Sequence, residues 1–247
     1  MAAGESGEPT GSPKTYLVPG SPDDLTIADF TGDGLADLIC STGRALALLS
    51  GDKEKGLLQP LVLEPEFAQI VSLSSGDFNA DGKPDLAVAH WTPNGLTLFL
   101  GEGDGRFSDP ITADLPVRPF SVVGLDLDED GSDEAAVSLV GNKKVVHARL
   151  AEDKLDTTGR LLFEGPIGYL TVGDFDGDGK DDLGAVGNNM FWTISRRQGR
   201  LAPPSGSCAG PDALLQFAAA GDLDGDGNDE LISTDLSRGT VVVRCGR

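Results

Sequence analysis

Five acidic stretches recur along this chain at a nearly constant interval, and that recurrence limits the possible folds more than any other feature. Their first aspartates are Asp29, Asp77, Asp126, Asp174 and Asp222. The step is about 48 residues each time, and a fixed period in this range marks a stacked or radial repeat architecture. Within the fourth stretch, Asp174, Asp176, Asp178 and Asp182 fall at positions 1, 3, 5 and 9 of a loop whose sixth residue is Gly179. The other copies keep the spacing: Asp29, Thr31, Asp33 and Asp37; Asp77, Asn79, Asp81 and Asp85; Asp126, Asp128, Asp130 and Glu134; Asp222, Asp224, Asp226 and Glu230.

Oxygen ligands at alternate positions of a tight glycine-containing loop suit a hard divalent cation, Ca²⁺ above all. A backbone carbonyl at position 7 would complete the shell, from Leu35, Lys83, Ser132, Lys180 and Asn228 in turn. The clustered like charges repel one another, and a divalent ion removes that repulsion. Up to five Ca²⁺ are expected, acting mainly as structural staples. A Ca²⁺ that bridges to a ligand, or one that takes part in catalysis, is the alternative use. Thr31 and Asn79 replace an aspartate at position 3. Each lowers the ligand charge by one, so the first two loops are expected to bind most weakly. An EF-hand is excluded. It needs a bidentate carboxylate at position 12 between helices, whereas position 12 here holds Cys40, Val88, Val137, Ala185 and Ser233.

Short apolar, β-branched runs flank each loop, before it at 25–28, 70–73, 120–123, 169–172 and 215–218, and after it at 38–40, 86–89, 135–137, 183–186 and 231–234. Such runs read as buried strands. A third run follows at 45–49, 96–100, 144–150, 190–194 and 240–243, and a weaker outer one at 57–63, 107–112, 161–164 and 201–207. Four strands per period predict an all-β, five-bladed β-propeller of four-stranded antiparallel blades over residues 14–247, as a single domain. The fifth period lacks an outer strand, and residues 14–18 precede the first loop at the outer-strand spacing. They are expected to complete the last blade and close the ring, which removes exposed sheet edges. A piece of a larger ring, or one ring shared by two chains, is the competing arrangement.

Residues 1–13 are rich in Gly, Ser, Pro and Glu and read as a flexible tail, without the basic start and apolar run of a signal peptide. No apolar run reaches transmembrane length. The net charge of -21 leaves no basic stripe for phosphates, so nucleic acid is not an expected partner, and neither membrane insertion nor an anionic membrane surface is expected. Cys40, Cys208 and Cys245 sit at different points of the repeat. An odd count leaves a free thiol or an intermolecular bond.

The loops resemble the FG-GAP/VCBS repeat family of integrin-type and secreted bacterial propellers. The copies that carry the resemblance are Gly76, Asp77, Asn79, Asp81, Gly82, Asp85 and Leu86, and Gly173 through Leu183. The resemblance spans the chain from about Lys14 and implies a propeller whose Ca²⁺ loops join the first and second strands of each blade. Clear Phe-Gly and Gly-Ala-Pro boxes are missing, which places the chain nearer the secreted bacterial VCBS-like branch than integrins. Family propellers usually have seven or eight blades.

Nothing in the sequence marks an enzyme: no Gly-x-Ser-x-Gly, His-Glu-x-x-His or P-loop pattern is present. Gly101, Gly103 and Gly105 read as a hairpin turn, and Asp23, Asp24, Asp212 and Asp235 as acids outside the loops. His90 and Trp91 are placed in a loop on the side opposite the acidic loops. Trp91 there would either pack or stack on a sugar face. Tyr169, Phe120 and Phe217 precede their loops at similar offsets, and Tyr169 is a candidate for the axial channel. The expected function is a secreted, monomeric ligand-binding or adhesion module, a lectin or other glycan binder first and a protein binder second. A polysaccharide-acting enzyme on the propeller face is the alternative, and a scaffold without natural ligand the third reading.

Overall fold

A computed structural model describes residues 13–65, 68–197 and 200–244. Every regular element among them is a strand. Blade one comprises Leu25–Ala28, Asp37–Ser41, Leu46–Leu49 and Leu61–Leu63. Blade two comprises Ala68–Gly76, Asp85–Thr92, Gly95–Phe99 and Ile111–Asp114. Blade three comprises Pro119–Leu125, Glu134–Leu139, Lys144–Ala151 and Lys154–Leu162. Blade four comprises Tyr169–Gly173, Asp182–Gly187, Met190–Ile194 and Ser205–Cys208. Blade five has three strands, Leu215–Gly221, Glu230–Asp235 and Thr240–Arg244. Within each blade the strands pair antiparallel in chain order. The structure is the expected all-β, five-bladed propeller.

The first strand of each blade is innermost, and the first strands of blades one to five pack side by side. The second strands are the most buried, with Leu86, Ala87, Val88, Ala135, Ala136, Val137, Leu183 and Ala185 fully enclosed. That explains their apolar character on both faces, because a neighbouring blade covers each side. Small inner-strand side chains tie the blades together. Asp24 accepts the Leu73 N–H, Ser72 that of Val122 and Ser121 that of Leu170.

Loop position 2 shows how one repeat position stitches successive blades. Phe30, Phe78, Leu127 and Phe175 are all buried, each in the apolar cluster shared with the next blade. Leu223 holds the same position in blade five and is 62% exposed. Val241, Val243, Leu25 and Ile27 are also exposed, and the close packing of first strands is not repeated between blades five and one.

The expected closure by residues 14–18 is therefore not what the structure shows. Those residues do not pair with Thr240–Arg244. Tyr16 and Val18 instead pack on Cys40, Ala47 and Leu49 of blade one. The Tyr16 hydroxyl accepts the Leu57 N–H at 3.2 Å and donates to the Lys55 carbonyl at 3.1 Å. The small ribbon Gly51–Asp52 with Gly56–Leu57 supplies those partners. The ribbon also divides the expected outer strand at 57–63, since Pro60 has no N–H to give a ladder. The outer strand of blade three begins earlier than expected, at Lys154, because Glu152 at φ 56° closes a tight hairpin directly after Ala151. Cys40 is a buried and Cys208 an exposed free thiol. Cys245 lies outside the described residues, as does the tail except for Pro13.

Candidate functional sites: the acidic loops and the axial pocket

Each acidic loop is wound by its own carboxylates. The first aspartate accepts the position-6 glycine N–H in all five copies, at 2.8 to 3.1 Å. The position-5 aspartate accepts the position-7 N–H, from Leu35, Lys83, Ser132, Lys180 and Asn228. The position-6 glycines take φ between 78° and 93°, a region that glycine alone enters without cost. The position-9 carboxylate is buried in every loop, with Asp37 and Asp85 at 0% exposure. One of its oxygens accepts an N–H from loop position 2 or 3.

The second oxygen of position 9 separates the loops into two kinds. In loops one and two it is also taken by backbone. Asp37 accepts Gly51 N–H and Asp85 accepts Gly101 N–H, both at 2.7 Å. Glu134, Asp182 and Glu230 have no such glycine partner among the hydrogen bonds of the described residues. The convergent clusters fall in these last three loops: Asp126, Asp128 and Glu134; Asp174, Asp176 and Asp182; Asp222, Asp224 and Asp226, with ligand oxygens within 4.8 Å of one another. Loops one and two form no such cluster among the described residues. The expectation of weaker binding at these two loops rested on the loss of one charge at Thr31 and Asn79. The glycine N–H groups that also bond Asp37 and Asp85 could not be read from the loop itself.

The donor set fits a hard cation. Asp176 Oδ1 and Thr31 Oγ1 are buried without a hydrogen-bond partner. Each is an oxygen at position 3, where a Ca²⁺ ligand is required. Burial first, and neighbouring loop carboxylates second, push Glu134 and Asp182 up to about 7. Asp85 is pushed up to about 6, chiefly by burial. An acid whose folded pKa exceeds its unfolded value costs stability above the folded value, and the cost fades as pH falls toward the unfolded one. Metal-free protein is therefore expected to gain thermal stability from pH 8 down to pH 5. The check is a set of melts in chelator, where a falling midpoint over that range would contradict the burial account.

The loops also reach their neighbours. Asp133 accepts the Asp77 N–H at 2.8 Å, and Asp229 accepts the Asp174 N–H at 3.0 Å. Lys180 pairs with Glu129 at 2.8 Å. A loop held by an ion thus holds part of the preceding loop.

At the other end of the first strands lies a cavity of about 760 Å³ that takes residues from all five blades. Each first strand starts at the cavity and ends at its acidic loop, so the two sites occupy opposite faces. Phe120, Tyr169 and Phe217 form its aromatic wall. Phe120 meets Tyr169 edge-on at 4.8 Å, and Tyr169 lies 5.0 Å from Phe217. Breaks in strand register at Pro119/Ser121 and at Gln216/Ala219 place Phe120 and Phe217 there. Phe217 and Gln69, both lining the pocket, take φ of 60°. Bulges of this kind re-aim side chains beside functional sites.

Trp91 joins the cavity at the end of the strand Asp85–Thr92 rather than in a loop. Its Nε1–H donates to the Pro119 carbonyl at 2.7 Å, and the Arg118 guanidinium lies 5.0 Å from its ring. His90 precedes it in the same strand and is fully buried, so the loop placement expected for it gives way to a buttress. Burial lowers its pKa. Its Nδ1–H donates to the Pro93 carbonyl at 2.7 Å, which leaves Nε2 to accept from Thr97, 3.0 Å away. The sequence singled out Trp91 and Tyr169 separately. Arg44 and Gln69 were missed, since only the ring of blades brings them to the axis.

No curated protein matches this chain in sequence. A lectin of Agrocybe aegerita, described for its specific recognition of non-reducing terminal N-acetylglucosamine, shares the fold. Its TM-score is 0.56 and its identity 15%, over 89% of this chain and 65% of the lectin chain. This chain thus spans somewhat less than two thirds of that relative's length. Residues 77–137, which contain the second and third acidic loops, match the family described as FG-GAP-like repeat. The chain carries an FG-GAP-like repeat within a five-bladed β-propeller.

Proposed function

We propose that this protein is an extracellular carbohydrate-binding module, stabilised by Ca²⁺ in its acidic loops and binding its ligand in the axial pocket. The observation that carries the reading is the pocket itself. It gathers Trp91, Phe120, Tyr169 and Phe217 from four blades into one cavity on the face away from the acidic loops. Aromatic faces offer large, rigid surfaces for the apolar side of a sugar ring, and the cavity volume lies within the range of small-molecule sites. A glycan ligand is also what the lectin relative's description names. The oxygen-only loops suit the millimolar Ca²⁺ found outside cells. A protein partner is the second ligand class.

Binding is favoured over turnover. The carboxylates held above their usual range, Asp85, Asp133, Glu134 and Asp182, all belong to the acidic loops, and none lines the axial pocket. A glycan array probed with the folded chain in Ca²⁺ should show a narrow set of bound glycans, and Tyr169→Ala should abolish their binding. Hydrolysis of a bound glycan would favour the enzyme. An array blank for the parent chain would remove the carbohydrate reading.

A further inference from the structure

Five corresponding positions converge on the axial pocket, each five or six residues ahead of the first aspartate of its loop: Asp23, Val71, Phe120, Tyr169 and Phe217. The repeat symmetry is broken there in one direction. Blades three to five supply aromatic rings in mutual contact. Blade one supplies a carboxylate, with Asp24 beside it anchored by the N–H groups of Leu25 and Leu73. Arg44 is the one cationic side chain among the described lining residues, against two carboxylates. Register breaks in the first strands of blades three and five accompany Phe120 and Phe217.

Aromatic π-faces that share a cavity with a carboxylate attract an organic cation. The ring quadrupole and the carboxylate act on it together, most strongly where water is partly excluded. The chain's charge of -21 raises the local concentration of cations and lowers that of anions. We propose that the axial pocket selects an ammonium-bearing ligand, an amino sugar whose ring lies on the aromatic wall while its ammonium faces Asp23. This rests on the reading of the pocket as a glycan site and adds the chemical class. An N-acetylated sugar would use the wall alone.

The test is calorimetric, on the full chain in Ca²⁺ at pH 6, where the sugar amine is charged. The probes are the glucosamine tetrasaccharide, the N-acetylglucosamine tetrasaccharide and tetramethylammonium chloride. The glucosamine oligomer is expected to bind roughly tenfold tighter than its acetylated form. Asp23→Asn should erase that preference by lowering the affinity for the glucosamine oligomer to that for its acetylated form. Asp23 is exposed, so the substitution is not expected to disturb folding. A preference that survives Asp23→Asn reflects the overall charge and overturns the proposal. Equal binding of the two oligomers, or tighter binding of the acetylated one, overturns it too and leaves the glycan reading standing. Binding of tetramethylammonium with neither sugar upholds a cation pocket and overturns the glycan reading. Silence of all three overturns both.

Discussion

Chelation is expected to lower the melting midpoint by about 10–20 °C, and Ca²⁺ titration of the stripped chain to show three tight sites, with loops one and two binding more weakly. The magnitude comes from linkage. At ~2 mM Ca²⁺ and a Kd of ~100 µM, each filled site adds roughly 1.8 kcal/mol. Three such sites add about 5 kcal/mol, and for a chain of this length each kcal/mol moves the midpoint by about 2–4 °C. The number three comes from geometry. Loops three, four and five gather carboxylates into clusters, whereas Asp37 and Asp85 have both oxygens on backbone N–H groups. A cation at either of those loops would share its position-9 oxygen with a 2.7 Å hydrogen bond from a glycine, which weakens that oxygen as a ligand. Five sites of equal affinity would refute this use of Asp37 and Asp85. A midpoint unmoved by chelation would remove Ca²⁺ from the account altogether.

The second large effect comes from one repeat position compared in two blades. Phe78→Ala is expected to cost about 3–5 kcal/mol, the usual loss for a buried phenylalanine. Phe78 is 1% exposed and sits in the cluster between blades two and three. Its ring also closes over Gly76 and Gly124, where an added Cβ would lie 3.0 and 2.9 Å from it. The small size of those residues is thus part of the same packing. Leu223→Ala, at the equivalent position of blade five, is expected to change stability by less than about 0.5 kcal/mol, as exposed substitutions do. Leu223 is 62% exposed, with no blade packed over it among the described residues. Paired denaturant titrations decide the matter. Equal losses in the two variants would mean that blade five is covered in solution, and the open junction with blade one would then be a closed one.

The pair also shows where sequence reading stops. The regular period, the glycine at loop position 6 and the alternation of apolar runs were enough for the blade number, the strand order within a blade and the placing of the loops between first and second strands. These are local properties. A turn needs its glycine and a buried strand needs apolar faces, whatever else the chain does. Leu223 is indistinguishable from Leu127 by that reasoning, since both are leucines at position 2 of an acidic loop.

Whether such a residue is covered depends on which segment lies beside the blade in space. That is decided by packing between segments about 40 residues or more apart in the chain. The same holds for residues 14–18. Their spacing suited a fourth strand in blade five, but Tyr16 found its hydrogen bonds in the ribbon near Leu57. The two kinds of acidic loop divide on Gly51 and Gly101, residues well outside the loops they serve. Asp23, Phe120, Tyr169 and Phe217 are scattered from the first blade to the fifth and share one cavity only because the first strands converge on an axis. The sequence by itself determined the repeat, the strands and the carboxylates available to a cation. The tertiary structure alone decided which carboxylates converge and which distant side chains share a cavity, because each depends on contacts between segments far apart in the chain that no local pattern encodes.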